Sequence, residues 1–169
     1  DTASVTIAVS GTGDPVPMPN LSVSSTSLAF GTVTLGSFAD QTVTVTNTGD
    51  ADLSVFALGS ADPLGAHFEL AAGQAGCSNQ TRTPATSCTV VVRYAPASIG
   101  IHNDGFDIPS DDPDTASVTI AVSGTGDPVP MPNLPVSSPS LALGTVTRGS
   151  LAHQTVTAAN PGGADLPAL

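Results

Sequence analysis

The chain has 169 residues, of which 40% are hydrophobic and only 4% aromatic, and its formal net charge is −11. The sequence contains only three basic residues, all arginines, against 14 acidic residues. Such a surface repels phosphate backbones and anionic lipids, which disfavours binding to nucleic acid or to a membrane surface. No apolar run approaches about 18 residues, the length typical of a membrane-spanning helix, so membrane insertion is not expected. The abundance of Val, Thr, Ser, Gly and Pro favours strands and turns over helices.

The last third of the sequence repeats the first. Residues 1–20 return unchanged as residues 114–133, and residues 21–47 return with substitutions as residues 134–160. A repeat period of this size is one domain long, so the chain is predicted to be a section of a tandem array. The section is out of phase with its domains, because the repeat begins inside a strand pattern.

Two proline-rich segments separate the repeats. Prolines alternate with other residues in GTGDPVPMPN, and the same string recurs one period later. Prolines at this density favour extended polyproline geometry and make a stiff connector. The predicted organisation is therefore five segments: the last strand of a preceding repeat (1–13), a linker (14–20), a complete domain (21–126), a second linker (127–133) and the first strands of a following repeat (134–169).

Short alternating apolar runs with turn signals between them predict the strands of the complete domain. Seven are expected, at residues 21–30 with a kink near Ser25, 41–47, 53–58, 67–70, 87–96, 102–108 and 116–126. Seven short antiparallel strands in about 105 residues are typical of an all-β, two-layer sandwich of the immunoglobulin type. Tyr94 and the five phenylalanines are mostly expected on inward faces, so few aromatic side chains remain for a binding surface.

Cys77 and Cys88 flank the polar loop CSNQTRTPATSC. Two cysteines alone make a poor zinc site, because structural zinc requires four ligands. A disulfide is predicted, with two buried free thiols as the alternative. Closing a loop of roughly 12 residues contributes on the order of 3 kcal/mol. An oxidised pair would place the protein in the periplasm, at the cell surface or outside the cell.

Other candidate chemistry is weak. No G-x-S-x-G nucleophile motif is present, and three scattered histidines are expected at the surface: His67, His102 and His153. An aspartate cluster at Asp111, Asp112 and Asp114 could hold calcium, but its spacing is not that of an EF-hand and turn formation is favoured. The sequence therefore predicts no catalytic residues, no cofactor, no metal site and no enzyme.

Four strings occur in a characteristic order: LAFGTVTLGS, QTVTVTNTGDADL, CS…SCTVVVRYAPASIG and a final strand ending in SGTG. Together they resemble the Hydin-type immunoglobulin-like domains, in particular bacterial choice-of-anchor D repeats. The resemblance covers residues 21–126 fully, residues 1–13 as a last strand and residues 134–169 as first strands. It implies a structural or adhesive module of a large surface or secreted protein, without a catalytic motif. The cysteine pair favours the exported bacterial branch over the cytosolic ciliary branch.

Three functions remain open at this point, beside a weaker fourth, a scaffold in a eukaryotic cilium, which would predict reduced cysteines. The first is a structural module of an extracellular filament or cell-surface stalk. The second is an adhesin that recognises glycan or protein, and the third is an accessory domain of a large secreted enzyme. The expected partners are neighbouring copies of the same repeat, either in one long polypeptide or in adjacent chains joined by strand addition.

Overall fold

The computed structural model describes residues 1–167, and it describes their side chains everywhere except at residues 72–75. The last two residues of the predicted segment 134–169 lie outside the described residues. The chain divides into two units, Asp1–Asp127 and Pro128–Leu169. The first unit contains nine strands: β1 (Leu21–Val23), β2 (Ser27–Thr34), β3 (Ala39–Asn47), β4 (Leu53–Val55), β5 (Phe68–Ala75), β6 (Gln80–Arg82), β7 (Ser87–Tyr94), β8 (Gly100–Pro109) and β9 (Ser117–Asp127).

The strands form a four-stranded sheet in the order β1-β3-β7-β5, a three-stranded sheet in the order β2-β9-β8 and a small β4-β6 pair. Alternate side chains of each main sheet point into one shared core, as the period of two in the sequence requires. Fully buried members of this core include Val43, Val90, Tyr94, Phe106 and Ile120. The all-β, immunoglobulin-like sandwich predicted from the sequence is confirmed.

The predicted strand 21–30 is two strands that belong to different sheets. The chain breaks at residues 24–26, where the Ser25 hydroxyl both donates to the Ser27 carbonyl (2.7 Å) and accepts from the Ser27 amide (3.2 Å). The kink expected near Ser25 is thus confirmed. Because of this switch, β1 pairs antiparallel with β3, whereas β2 pairs parallel with β9. The prediction of seven strands, all antiparallel, was wrong in the number of strands and in the direction of the β2–β9 pair. Alternation in a sequence shows which side chains of a strand are buried, but it does not show which other strand pairs with it.

Two further differences lie around the cysteine loop. The short strand expected at 67–70 continues to Ala75, and the loop itself contains β6, which pairs with β4. The polar sequence of β6 gives no alternation signal. The expectation for the phenylalanines also holds only in part, because Phe38 and Phe56 are exposed.

The two ends of the sandwich receive the two connectors. Leu21 lies opposite Asn47 at one end, and Asp127 lies opposite Thr34 at the other end. The final part of the first connector is bound to the domain, since the amide of Asp50 donates to the Met18 carbonyl at 2.9 Å. A Cβ at Gly49 would collide with that same carbonyl oxygen, so only glycine permits this close approach.

Residues 1–13, called the leading segment below, form no strand in the structure. Their sequence is identical to residues 114–126, which include most of β9. The environments are opposite: Ile7 is 80% exposed and Val9 is 92% exposed, whereas Ile120 and Val122 are buried. The same apolar sequence is therefore covered in one copy and uncovered in the other.

The second unit, called the trailing unit below, repeats the local geometry at the start of the first. An isolated bridge joins Val136 to Ala158, one period after the β1–β3 pair of Val23 and Val45. The amide of Ser137 donates to the Thr157 carbonyl at 2.9 Å, as Ser24 does to Thr44 at 2.9 Å. Within residues 1–167 there is no helical segment with the length and hydropathy needed to cross a membrane.

Candidate functional site

The disulfide predicted from the sequence is present. Cys77 follows β5, Cys88 lies in β7, and their sulfur atoms are bonded with the two Cα atoms 5.3 Å apart. Both side chains are buried and belong to the core cluster. Because β5 and β7 are also hydrogen-bonded neighbours, the bond fastens the loop that carries β6 to the four-stranded sheet.

Removing this bond with the double variant Cys77→Ala/Cys88→Ala is expected to lower the free energy of unfolding by about 3 kcal/mol. The loop then regains its freedom in the unfolded chain. Urea unfolding of the oxidised and reduced wild-type protein measures the effect, and a reducing agent should leave the double variant unchanged. Two cysteines that react with a thiol reagent in the unfolded, unreduced native protein would contradict the disulfide.

The aspartate cluster serves as a structural turn. The buried carboxylate of Asp112 accepts hydrogen bonds from the amides of Leu21 (2.7 Å), Asp114 (2.9 Å) and Thr115 (3.1 Å). Burial alone would raise the pKa of Asp112, but these three amides outweigh it and hold the pKa below its ordinary value. The turn interpretation is confirmed, and the carboxylate fastens β1 to the β8–β9 connection. Among the side chains described, no group of three or more His, Cys, Asp or Glu residues is arranged to hold a metal ion.

Two of the histidines expected to be scattered at the surface lie together. The rings of His67 and His102 stack with centroids 3.6 Å apart. His102 Nδ1 shares a hydrogen bond of 2.7 Å with the Tyr94 hydroxyl, and the Ala97 amide donates to His67 Nδ1 at 3.1 Å. Both side chains are half-buried, and they are not scattered in space because Phe68, next to His67, pairs with Tyr94, whose hydroxyl contacts His102. The pair lines an open pocket of about 370 Å³ that also contacts Asp104.

This pair is expected to make the stability of the first unit depend on pH. Burial lowers the pKa of His102, and the charge of a protonated His67 lowers it further. The folded state therefore binds fewer protons than the unfolded state, and its stability is complete above the unfolded pKa of about 6.5 and declines as the pH falls below it. The thermal midpoint should drop between pH 7.5 and pH 5, and His102→Gln should flatten that drop.

His153→Gln offers a matched control, because His153 is an exposed side chain of the trailing unit. It should leave the pH dependence of the first unit as it is in the wild type. An unaltered pH profile in His102→Gln would show that other groups cause the acid destabilisation.

Asn47 is a central residue that sequence reasoning missed. Its side chain is fully buried and uses its whole hydrogen-bonding capacity. Oδ1 accepts from the amides of Asn20 (3.3 Å) and Gly49 (3.0 Å), while Nδ2 donates to the carbonyls of Ala51 (2.7 Å) and Arg82 (2.9 Å). One side chain thus joins the connector, the β3–β4 turn and β6. Its recurrence one period later was the signal that could have drawn attention to it.

Asn160 occupies the equivalent place in the trailing unit. It accepts from the amides of Asn133 (3.1 Å) and Gly162 (3.1 Å), and it donates to the Ala164 carbonyl (2.8 Å). Three of the four contacts of Asn47 are therefore reproduced. The fourth, to Arg82, has no counterpart within residues 128–167.

The trailing unit also exposes the apolar side chains that its counterpart buries. Leu28, Val43 and Leu53 are 5%, 0% and 0% exposed, whereas the residues one period later are 46%, 39% and 41% exposed: Leu141, Val156 and Leu166. Together with the leading segment, this gives the chain two uncovered apolar faces. Each face has a covered copy inside the first unit.

These features define a β-sandwich module of the interaction or structural kind. The family model described as "Abnormal spindle-like microcephaly-assoc'd, ASPM-SPD-2-Hydin", abbreviated ASH, matches residues 16–118, more than half of the chain. The protein belongs to this ASH family. The resemblance to Hydin-type domains noted in the sequence is thereby confirmed.

Several solved structures are similar to this chain. The ASH/PapD-like domain 7 of human CEP192 is 16% identical with a TM-score of 0.53, and the match covers 76% of this chain and 99% of that domain. The Vibrio cholerae VesB protease is 19% identical with a TM-score of 0.52, over 62% of this chain. The match spans only 31% of the VesB chain, and at these identities it shows the fold alone.

A third similar structure is a protein of unknown function from Porphyromonas gingivalis W83, 14% identical with a TM-score of 0.52, covering 63% of this chain and 46% of that one. A search of curated protein sequences gave no match.

Proposed function

We propose that this chain is a non-catalytic structural section of an extracellular filament or cell-surface stalk built from consecutive ASH-family repeats. In this arrangement residues 1–13 are the last strand of one repeat, residues 21–126 form a complete domain and residues 134–169 begin the next. The observation that carries the proposal is the reversal of burial between segments of identical or equivalent sequence described above. An uncovered apolar strand invites pairing, so each face calls for a neighbouring repeat to cover it.

The hydrogen bonds of the trailing unit support the same reading. Asn160, Ser137 and Gly162 make the contacts that Asn47, Ser24 and Gly49 make one period earlier. A segment that folds like the beginning of a domain, while its apolar residues stay exposed, is the expected state of a domain whose remaining strands are absent.

Three observations support an extracellular and non-catalytic role. The Cys77–Cys88 disulfide is typical of oxidising compartments. The net charge of −11 keeps such repeats soluble and apart from anionic surfaces. Among the described side chains, His102 is hydrogen-bonded to the Tyr94 hydroxyl through Nδ1 (2.7 Å) and to the Ser98 hydroxyl through Nε2 (3.1 Å), so no carboxylate orients its ring as in a catalytic triad.

A second candidate is an accessory domain of a secreted enzyme. It is favoured by the VesB protease, because the matched region makes up 31% of that chain and leaves most of it for other parts. In that case the activity would reside in a part of the protein other than residues 1–169. Protease activity that survives in the native protein and is lost when the repeats are kept but flanking sequence is removed would support this candidate.

The proposed arrangement predicts what completes the trailing unit. Residue 56 is equivalent to residue 169, so a copy of residues 57–126 appended after residue 169 supplies all the missing strands. In the extended chain the amides of Leu141, Leu143 and Val156 are expected to gain strong protection from hydrogen exchange. A chain extended by the same residues in scrambled order should leave them unprotected. Equal protection in the two extended chains would overturn the proposal.

A further inference from the structure

We infer that the leading segment of one copy pairs with residues 140–147 in the trailing unit of a second copy, as a parallel strand in the register of the β2–β9 pair. The inference goes beyond the proposed function, because it concerns how free chains associate. It needs only the two uncovered faces of this chain.

The first unit contains the template for this pairing. In the β2–β9 pair, Leu28 lies opposite Val122 and Ala29 lies opposite Ser123. Residues 4–14 have the same sequence as β9, and residues 140–147 differ from β2 at a single position, where Leu143 replaces Phe30. Shifting both strands by one period places Leu141 opposite Val9 and Ala142 opposite Ser10. The two sequences that pair within the first unit therefore occur a second time, in the uncovered residues 4–14 and 140–147.

The side chains that would be covered are those the template covers. Ile120 and Val122 are buried in the core of the sandwich, while Ile7 and Val9 are exposed. On the accepting side Leu141 and Leu143 are 46% and 50% exposed. Parallel pairing in this register places both sets side by side on one face of a sheet, where they cover part of each other, and satisfies the backbone groups of both edges.

Charge does not oppose the contact, although the chain as a whole carries −11. Residues 2–13 contain no ionisable side chain, and neither do residues 140–147. The acidic residues nearest the contact, Asp1 and Asp14, lie at the two ends of the donor sequence. Copies that repel each other elsewhere therefore meet through uncharged segments.

The topology of the first unit favours a second copy over the same chain as the partner. The leading segment joins the sandwich at the Leu21 end, and the chain leaves at the Asp127 end. These ends are separated by the length of β9, which is about 35 Å for an eleven-residue strand. Pairing between copies extends head to tail, whereas pairing within a chain must turn back over this distance.

Cysteine trapping tests the register directly. A chain carrying Ser10→Cys is mixed with a chain carrying Ala142→Cys under mild oxidation, with the native Cys77–Cys88 bond already closed. The mixed disulfide dimer is expected to form several-fold more than when Ser10→Cys is mixed with Thr147→Cys, a position out of register. Ala29→Cys/Ser123→Cys within one domain is the positive control, because that pair is in register in the structure. Neighbouring Cα atoms of paired strands lie within the range that a disulfide spans.

Variants of the two faces complete the test. Ile7→Ser in the donor or Leu141→Ser in the acceptor should lower the dimer yield about tenfold. Thr6→Ser, a neighbouring polar substitution in the same segment, should leave the yield unchanged. An acceptor extended by residues 57–126 carries its own final strand and should no longer be trapped.

Two results would overturn the inference. One is equal trapping in and out of register. The other is a disulfide that forms only as a monomer in the Ser10→Cys/Ala142→Cys double variant, which would place the leading segment on its own chain. Neither result affects the proposed function, whose test is the hydrogen-exchange protection gained by the extended chain.

Discussion

Replacing Asn47 by alanine is expected to lower the free energy of unfolding of the first unit by about 4 kcal/mol. The substitution leaves two amides and two carbonyls without the partner that now joins them. The carbonyl of Arg82 and the amide of Gly49 lie in a partly buried environment, where lost hydrogen bonds are not fully replaced by water. The connector, the β3–β4 turn and β6 therefore lose a shared partner together.

Tyr94 makes the measurement selective. It is the only tyrosine, the chain has no tryptophan, and Tyr94 is fully buried in the first unit, so tyrosine fluorescence during urea unfolding reports on that unit. Asn160→Ala is the matched control, since it removes the equivalent side chain from the trailing unit. A midpoint shift in Asn160→Ala as large as that in Asn47→Ala would show that the effect is not local to the first unit.

A second large effect is expected from Gly124→Ala, which should also cost about 4 kcal/mol. A Cβ on Gly124 would lie 2.5, 2.7 and 2.8 Å from three atoms of the Tyr94 ring. The ring cannot move away, because it stacks on Phe68 with centroids 4.7 Å apart and its hydroxyl is hydrogen-bonded to His102. The added methyl group therefore forces β9 and β7 apart or breaks the contact with His102.

Gly11→Ala provides the control within the same chain. Gly11 sits in the identical sequence one period earlier, and a Cβ there would meet nothing within 4 Å. Urea unfolding followed by tyrosine fluorescence should show a large shift for Gly124→Ala and none for Gly11→Ala. Equal shifts in the two variants would mean that the substitution acts through the unfolded chain and not through the Tyr94 contact.

Much of the sandwich could be predicted from the sequence because its strongest signal is local. Alternation in QTVTVTN and SCTVVVRYAP identified the inward side chains of β3 and β7, including Val43, Val90 and Tyr94, which are buried. The disulfide was predictable because Cys88 falls on the inward face and Cys77 lies one short loop away. Turn residues marked the acidic turn at Asp112 in the same way.

The remaining features depend on contacts between distant segments. The parallel β2–β9 pair joins residues about 90 positions apart, and nothing within either strand states its orientation. The His67–His102 stack and the wedge of Tyr94 against Gly124 arise only when β5, β7, β8 and β9 are in place. In the sequence Asn47 looks like an ordinary turn residue at the end of a strand. Its four hydrogen-bond partners lie in three separate segments, so its role is visible only in the folded domain.

The parallel β2–β9 pair also determines how the domain responds to tension. The chain enters near Leu21 and leaves after Asp127, so pulling on the two connectors drags β2 and β9 in opposite directions along their common axis. The hydrogen bonds between them are then loaded together in shear and must fail almost at once, whereas a hairpin pulled at its open end gives way one bond at a time. The bond from the Leu21 amide to Asp112 holds β1 in place along the same line of load. The disulfide, between β5 and β7, lies off that line, so resistance to extension rests on strand direction and not on the covalent link.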